Sequence, residues 1–351
     1  MKKWLFCDIE ASNGTDICSF GYVLTDEWLQ ILDKKDILIK PSKPFIKVVE
    51  GLLAYPKEIF MVAPTFVEQK DTIFQLLYTA DVVIGHAFSN DIKFLNIACL
   101  ENNIKMPPLQ YFDTQILYNI VNSSIDNRRV GLERIVEKLG LTIDDSLHLH
   151  RADDDAYLTM LVLQKFCQQQ QVTPSELLQN NITAFGKFEN GINYEYTTDK
   201  VRLFKNNIKR YVANQESKPI KELLGKRFAI CNEYQNAYPL KIWTLVTKMI
   251  DVGGILDSNS DLLDIYIWNK DSKDRIYKRQ KELNKKCNYM SLEQICSLLG
   301  QQWDTLPEYL TDNYCAVGKH DLNSDRAIKE FGLDKPSNNP FATLLAKLNQ
   351  K

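Results

Sequence analysis

Close to the N-terminus an otherwise apolar run, residues 4–9, is broken at Asp8 and followed by Glu10. If this run is a strand, side chains two apart leave the same face, so both carboxylates can converge on one cation. Two acids on a buried apolar strand are costly unless a metal or hydrogen bonds hold them. A solvent-facing edge strand would carry them without that cost, and the pair alone leaves both placements open.

The pattern around this run is α/β. Residues 3–10, 17–25 and 36–40 read as strands separated by polar clusters that suit antiparallel hairpin connections. Pro64-Thr65 opens a helical pattern that runs to Tyr78, and residues 82–85 read as a buried strand. Ser89-Asn90-Asp91 follows, with short polar side chains suited to a helix start, and apolar helical spacing continues over residues 92–100. A last helix is expected over residues 152–167. The 351 residues exceed one ordinary core. A second α/β pattern fills residues 222–300: strand 228–232, helix 240–250, Gly253-Gly254, strand 262–268, basic helix 274–286 and closing helix 292–299. The expected organisation is a domain over 1–170, a basic linker over 171–221, a smaller domain over 222–303 and a tail, 304–351, of unassigned structure.

Lys2 and Lys3 before an apolar run resemble a secretory leader, but Asp8 and Glu10 interrupt the run where such a segment would continue. No apolar stretch approaches the roughly 20 residues that span a bilayer. Eight cysteines occur without a Cys-x-x-Cys pair, which reads as reduced core thiols of a cytoplasmic protein. The formal charge is −2, from 43 Lys and Arg against 45 Asp and Glu. That balance hides segregation. Residues 1–170 hold 17 basic against 23 acidic residues, whereas 200–227 hold nine against two and 270–286 hold eight against three. An overall neutral chain therefore does not exclude a nucleic-acid partner.

Two further acidic positions join the first pair. Asp91 stands at a helix start, where a capping role would also explain it. Asp153, Asp154 and Asp155 open the helix at 152, directly after His150 and Arg151. Complementation of the helix dipole explains acids in the first turn but not the histidine before them. The separations His148 to Asp153 and His150 to Asp155 are equal.

Three segments, Phe6-Cys7-Asp8-Ile9-Glu10-Ala11-Ser12, Val83-Ile84-Gly85-His86-Ala87-Phe88-Ser89-Asn90-Asp91 and His150-Arg151-Ala152 with Asp155-Ala156, resemble in order and separation the three motifs of the DEDDh exonuclease family. Proofreading (epsilon) subunits of bacterial replicative DNA polymerases are members. The resemblance extends to Gly21, Ala63-Pro64-Thr65-Phe66 and Asp113-Thr114, and departs from many relatives at Ala87 and Asn90. It implies a ribonuclease H-like mixed sheet flanked by helices. It also implies hydrolytic release of nucleoside 5′-monophosphates from the 3′ end of a single-stranded or frayed DNA terminus. Asp8, Glu10, Asp91 and Asp155 are then the ligands of two Mg²⁺ ions, with Mn²⁺ as a substitute, and His150 is the general base. The flanking Arg151-Ala152 and Ala156 select the register of His150 and Asp155. His148 is then a surface residue, and Asp153 and Asp154 are helix-start acids. Ile9, Ala11, Ser12 and Phe88 are expected near the terminal nucleotide, with a core position as the alternative for Phe88. An exoribonuclease of the same family and a non-hydrolytic DNA-binding scaffold are the alternative functions.

Residues 222–303 resemble a BRCT domain of the subgroup in bacterial DNA ligases, through Leu224-Gly225-Lys226-Arg227-Phe228, Gly253-Gly254 and Arg279-Gln280-Lys281-Glu282-Leu283. Cys231-Asn232 stands where many relatives have Ser or Thr. The resemblance implies a smaller α/β domain with replication or repair proteins as partners. Lys278, Arg279, Lys281, Lys285 and Lys286 are the candidates for DNA-backbone contact, with a solvated helix as the alternative.

Overall fold

The alternation that starts at Lys3 forms a strand, β1 (Lys3–Ala11), and its two faces are unlike. Leu5, Cys7 and Ile9 enter one core with Phe20, Tyr22 and Ile37, while Asp8 and Glu10 lie on the opposite face. This computed structural model describes residues 2–13, 15–122, 130–142, 147–257, 262–269, 278–279, 287–310 and 312–317. The chain divides into two compact units, residues 1–196 with Val317 and residues 197–316.

In the first unit β1 is followed by β2 (Ile17–Asp26) and β3 (Ile31–Leu38). Then come β4 (Val82–Gly85), β5 (Leu109–Asp113), β6 (Phe185–Glu189) and β7 (Ile192–Tyr196). Their order is β7-β6-β5-β4-β1-β2-β3, so β1 lies inside the sheet rather than at its edge. It pairs antiparallel with β2 and parallel with β4. The sheet is thus mixed, with helices against it, as expected. The third strand differs from expectation: it begins at Ile31, not 36. Asp33-Lys34-Lys35-Asp36 resembles a polar turn in sequence, yet it pairs in register with β2.

Two short helices, α1 (Lys47–Glu50) and α2 (Lys57–Met61), follow β3. The capping box of Thr65 and Glu68 starts α3 (Phe66–Thr79), whose Phe66, Ile73 and Leu77 join the core built on Leu5, Cys7 and Ile9. Ile92, Leu95, Ala98 and Cys99 of α4 (Ser89–Glu101) enter the same core. Two further helices, α5 (Thr114–Val121) and α6 (Leu132–Lys138), precede α7 (Ala152–Gln170), which packs on β1 and β2. Helix α8 (Pro174–Asn180) leads into the β6–β7 hairpin.

The linker expected over 171–221 is folded throughout much of its length. Its start carries α8 and the hairpin, turned at Asn190 and Gly191, both with positive φ, as a tight two-residue hairpin requires. Its later part forms α9 (Lys200–Asn207), which buries Leu203 and Phe204 and leaves Lys200, Arg202 and Lys205 half-buried.

Phe204 and Ile208 belong to the core of the second unit. That unit has four parallel strands, β8 (Arg227–Ile230), β9 (Ile255–Leu256), β10 (Ile265–Ile267) and β11 (Asn288–Met290), in the order β11-β10-β8-β9. Helix α10 (Asn232–Ala237) precedes α11 (Pro239–Asp251), and α12 (Leu292–Leu298) closes the unit; Ile242, Leu245, Val246, Met249, Leu292 and Ile295 fill its core. Of the expected basic helix, Lys278 and Arg279 are described and exposed, whereas Lys281, Lys285 and Lys286 lie outside the described residues. Within the tail, β12 (Tyr314–Val317) is fixed to α9: Asn207 donates to the Tyr314 carbonyl at 3.2 Å and accepts from the Ala316 amide at 2.7 Å. All eight cysteines are free and buried. Among the described residues no helix is long and apolar enough to cross a membrane.

Candidate active site

Asp8, Gly21 and Asp36 are directly opposite one another on β1, β2 and β3, and therefore form a row on one face of the sheet. Gly21 is the low point of that row. A Cβ there would stand 1.9 Å from the Ala152 carbonyl carbon and 2.0 Å from the Asp153 nitrogen, so only glycine lets the first turn of α7 settle onto β2. The consequence is that Asp155, one turn into α7, comes down beside Asp8 and Glu10. The ladder shifts register between Glu10 and Ala11, which re-aims the end of β1 next to this cluster.

Asp91 enters from α4 and is 4% exposed. The backbone N–H groups of Ile9 and of Asp91 itself act on its carboxylate and lower its pKa, against the larger effect of burial. The loop that delivers it is held by Asp113, at the end of β5. One carboxylate there accepts four amides, from Ala87 (3.1 Å), Phe88 (2.9 Å), Gln115 (2.8 Å) and Ile116 (3.3 Å). This lets Ala87 adopt φ 53°, a left-handed conformation unusual for alanine. His86 is locked by Thr114 at 3.0 Å and the Val130 carbonyl at 3.0 Å.

His150 also has positive φ, 62°. Its amide donates to Asp155 Oδ2 at 3.2 Å, the Ala54 amide approaches its carbonyl at 3.5 Å, and its Nδ1 lies 3.7 Å from Glu10 Oε1. One ligand atom each from Glu10, His150 and Asp155 lie within 4.8 Å of one another. Asp153, in contrast, turns to Arg151, at 2.7 and 3.0 Å, and to Lys34 at 3.5 Å. The structure therefore brings His150 and Asp155 together and takes Asp153 elsewhere, while His148 is exposed.

The electrostatics follow from this crowding. Burial raises the Asp8 pKa well above the usual carboxylate range, and Asp91, Asp155 and Glu10 raise it further. Burial raises Asp91 too, against the lowering effect of the two amides it accepts. Asp155 is pushed up to about 7, by burial first and then by Glu10, with His150 opposing. The Glu10 carboxylate raises His150 in turn. Among the described residues none of Asp8, Glu10, Asp91 and Asp155 is paired with a lysine or arginine. Mutually repelling oxygen donors without an internal cation fit a hard divalent ion.

The other expected site residues are placed differently. The side chains of Ile9, Ala11 and Ser12 are buried, and the Ser12 hydroxyl donates to the Asp16 carbonyl at 3.3 Å. Phe88 is fully buried, its ring 5.1 Å from Tyr111. Its ring fills the space above Gly85, where a Cβ would be 2.2 Å away, so the core alternative holds for it and contact with substrate is corrected. Lys278 and Arg279 belong to the second unit. Asp113, Lys34 and Asp36 had no assigned part. An Asp directly before a helix start is a cap signal that could have marked Asp113. Nothing in the sequence marks Lys34, because its partners are 120 residues away.

Residues 8–163 match the Exonuclease (RNase_T) family model, so this part of the chain is similar to exonuclease domains. The 3′-5′ exonuclease DinG of Staphylococcus epidermidis is 26% identical over 136 residues, which is 39% of this chain and 14% of that protein. The chain thus spans a small fraction of the curated relative it matches. Among solved structures, the nuclease domain of 3′hExo, a DEDDh family member bound to rAMP, is 20% identical, covering 48% of this chain and 92% of that one, with a TM-score of 0.42. Exonuclease X in complex with 5′ overhanging duplex DNA is 16% identical, covering 51% and 98%, with a TM-score of 0.39.

Proposed function

We propose that this chain is a two-metal-ion 3′–5′ exonuclease of the DEDDh type, with a ribonuclease H-like catalytic unit, that releases nucleoside 5′-monophosphates from DNA 3′ ends. The observation that carries this is the convergence of Asp8, Glu10, Asp91 and Asp155 from β1, α4 and α7, with His150 beside Glu10 and Asp155. Asp8, Glu10, Asp91 and Asp155 hold the ions, for which Mg²⁺ is the physiological choice and Mn²⁺ a substitute. When bound, the pair polarises the scissile phosphate and stabilises the attacking and leaving oxygens. His150, half of whose side chain is exposed, takes the proton of the attacking water. Asp155 keeps His150 in place by accepting its backbone N–H.

The second unit is read as a BRCT-like module that directs the enzyme in replication or repair. Four parallel strands with the second outside the first support this, and such partners tilt the substrate towards DNA. Eight buried free thiols suit a reducing, cytoplasmic setting.

Matched DNA and RNA oligonucleotides labelled near the 5′ end, incubated with Mg²⁺ or with chelator, test the reading. Stepwise shortening from the 3′ end that requires the metal and vanishes in Asp155→Ala is expected, faster on DNA. Equal degradation by wild type and Asp155→Ala would remove the catalytic assignment, and preference for RNA would move the enzyme to the exoribonuclease alternative.

A further inference from the structure

Asp153 and Asp154 are 4% and 1% exposed, which complementation of a helix dipole does not require, since a solvated acid does that equally well. Something else draws them in. Lys34, on the edge strand β3, places its Nζ 2.5 Å from Asp154 Oδ1 and 3.5 Å from Asp153 Oδ2, and 5.2 Å from the centroid of the Tyr157 ring. The second oxygen of Asp154 accepts the backbone N–H of His148 at 3.0 Å. The His148 carbonyl accepts from the Arg151 amide at 3.2 Å, which closes a tight turn over residues 148–151. His150 is the residue of that turn with φ 62°. A non-glycine residue in the left-handed region persists only where its surroundings over-determine it. Here Asp154 holds the turn from one side and Asp155 from the other, and Lys34 holds Asp154.

We infer that Lys34 is a positioning residue, acting through Asp154 to fix the 148–151 turn and so set where the His150 imidazole stands relative to Glu10 and Asp155. Lys34 touches neither the reacting atoms nor the metal ligands of the proposed site. Its contribution is the fixed geometry of the base, and a displacement of about 1 Å in such a group costs on the order of 10²-fold in rate. The inference rests on the exonuclease reading for its kinetic arm and on geometry alone for its spectroscopic one.

The test uses the full chain with Lys34→Met, Lys34→Arg and His150→Ala, and the Lys34→Met/His150→Ala double variant. Positioning predicts that Lys34→Met lowers kcat roughly ten- to a hundredfold with KM within about twofold, and that Lys34→Arg restores most of it. In the His150→Ala background, Lys34→Met should change kcat by less than about twofold, because the group it positions is gone. Independently of activity, the imidazole resonances of His150 should move in Lys34→Met and stay in Lys34→Arg, with those of His86 unchanged in both. Unchanged kcat with a lower Tm would reduce Lys34 to a stabilising contact, as would an equal loss with and without His150. If the wild type shows no nuclease activity, the exonuclease reading falls, and unmoved His150 resonances in Lys34→Met would overturn the positioning role by themselves.

Discussion

Two sets of carboxylates meet at the start of α7, and the protein treats them in opposite ways. Asp153 and Asp154 are neutralised from within by Lys34 and Arg151. Burial pulls the Asp153 pKa up, yet Arg151 and Lys34 more than offset it and hold that carboxyl below its ordinary value. Asp8, Glu10, Asp91 and Asp155 are left facing each other, and burial with mutual repulsion raises Asp8, Asp91 and Asp155. Neighbours in sequence, Asp154 and Asp155 thus fall on either side of a division between charge used to build and charge held ready for an external cation. The difference is set by geometry: a single residue step around the first turn of α7 separates the side chains that reach Lys34 on β3 from the one that stands beside β1.

The largest effect that would break this comparison is catalytic. Asp155→Asn should lower exonuclease kcat by ~10³ or more, since a metal ligand supplies several kcal/mol of transition-state stabilisation. Its Tm in chelator should hold or rise, because a repelling charge is gone. Asp153→Asn should show the reverse emphasis, with a thermal loss of about 3 kcal/mol from breaking a buried pair. Matching signatures in the two variants would erase the distinction. Next, His150→Ala should cost ~10²–10⁴ in kcat, the usual worth of a general base, measured at saturating oligonucleotide.

Gly21→Ala probes the floor on which both sets rest. With backbone atoms of Ala152 and Asp153 in the way, the helix must lift, and a loss of about 1–3 kcal/mol or more is expected by thermal unfolding. A variant as stable as wild type would show that α7 does not sit on β2 as described. The smallest effect concerns pH in the metal-free protein. Asp155, raised to about 7 by burial and Glu10, binds its proton more tightly folded than unfolded. The folded state is therefore favoured at low pH, and stability is lost as pH rises from about 4 through 7. His150, raised by Glu10, acts in the same direction. In chelator, Tm should fall by a few degrees, about 2–4 °C per kcal/mol, between pH 5 and pH 8, and Mg²⁺ should recover the loss at pH 8. A Tm that climbs over that interval would contradict the unneutralised cluster.

How much of this was written in the chain depends on distance along it. The spacing of Asp8 and Glu10 fixed their shared face, and the helix at 152 started where the acids and apolar periodicity placed it. Flanking residues favour His150 over His148, and His150 is the one whose N–H reaches Asp155. The start of edge strand β3 is hidden because Asp33 to Asp36 looks like a turn when its partner strand is not considered, and the ion pair of Lys34 with Asp154 joins residues far apart in sequence. The β6–β7 hairpin was missed for a different reason. Its Asn190-Gly191 turn is a strong local signal, but the glutamine run and charge around it suggested a linker. Phe88 shows the limit of motif proximity: three residues from Asp91, its ring turns into the core because Gly85 leaves room for it.

Asp113 gives the site an unusual mode of opening. Its carboxylate is shared by the amides of Ala87 and Phe88, just before Asp91, and of Gln115 and Ile116, at the start of α5. Neither pair can be released to solvent without leaving that buried oxygen pair short of donors. The four amides should therefore exchange with deuterium at a common rate, as one cooperative unit, and that rate reports how often the Asp91 loop comes undone.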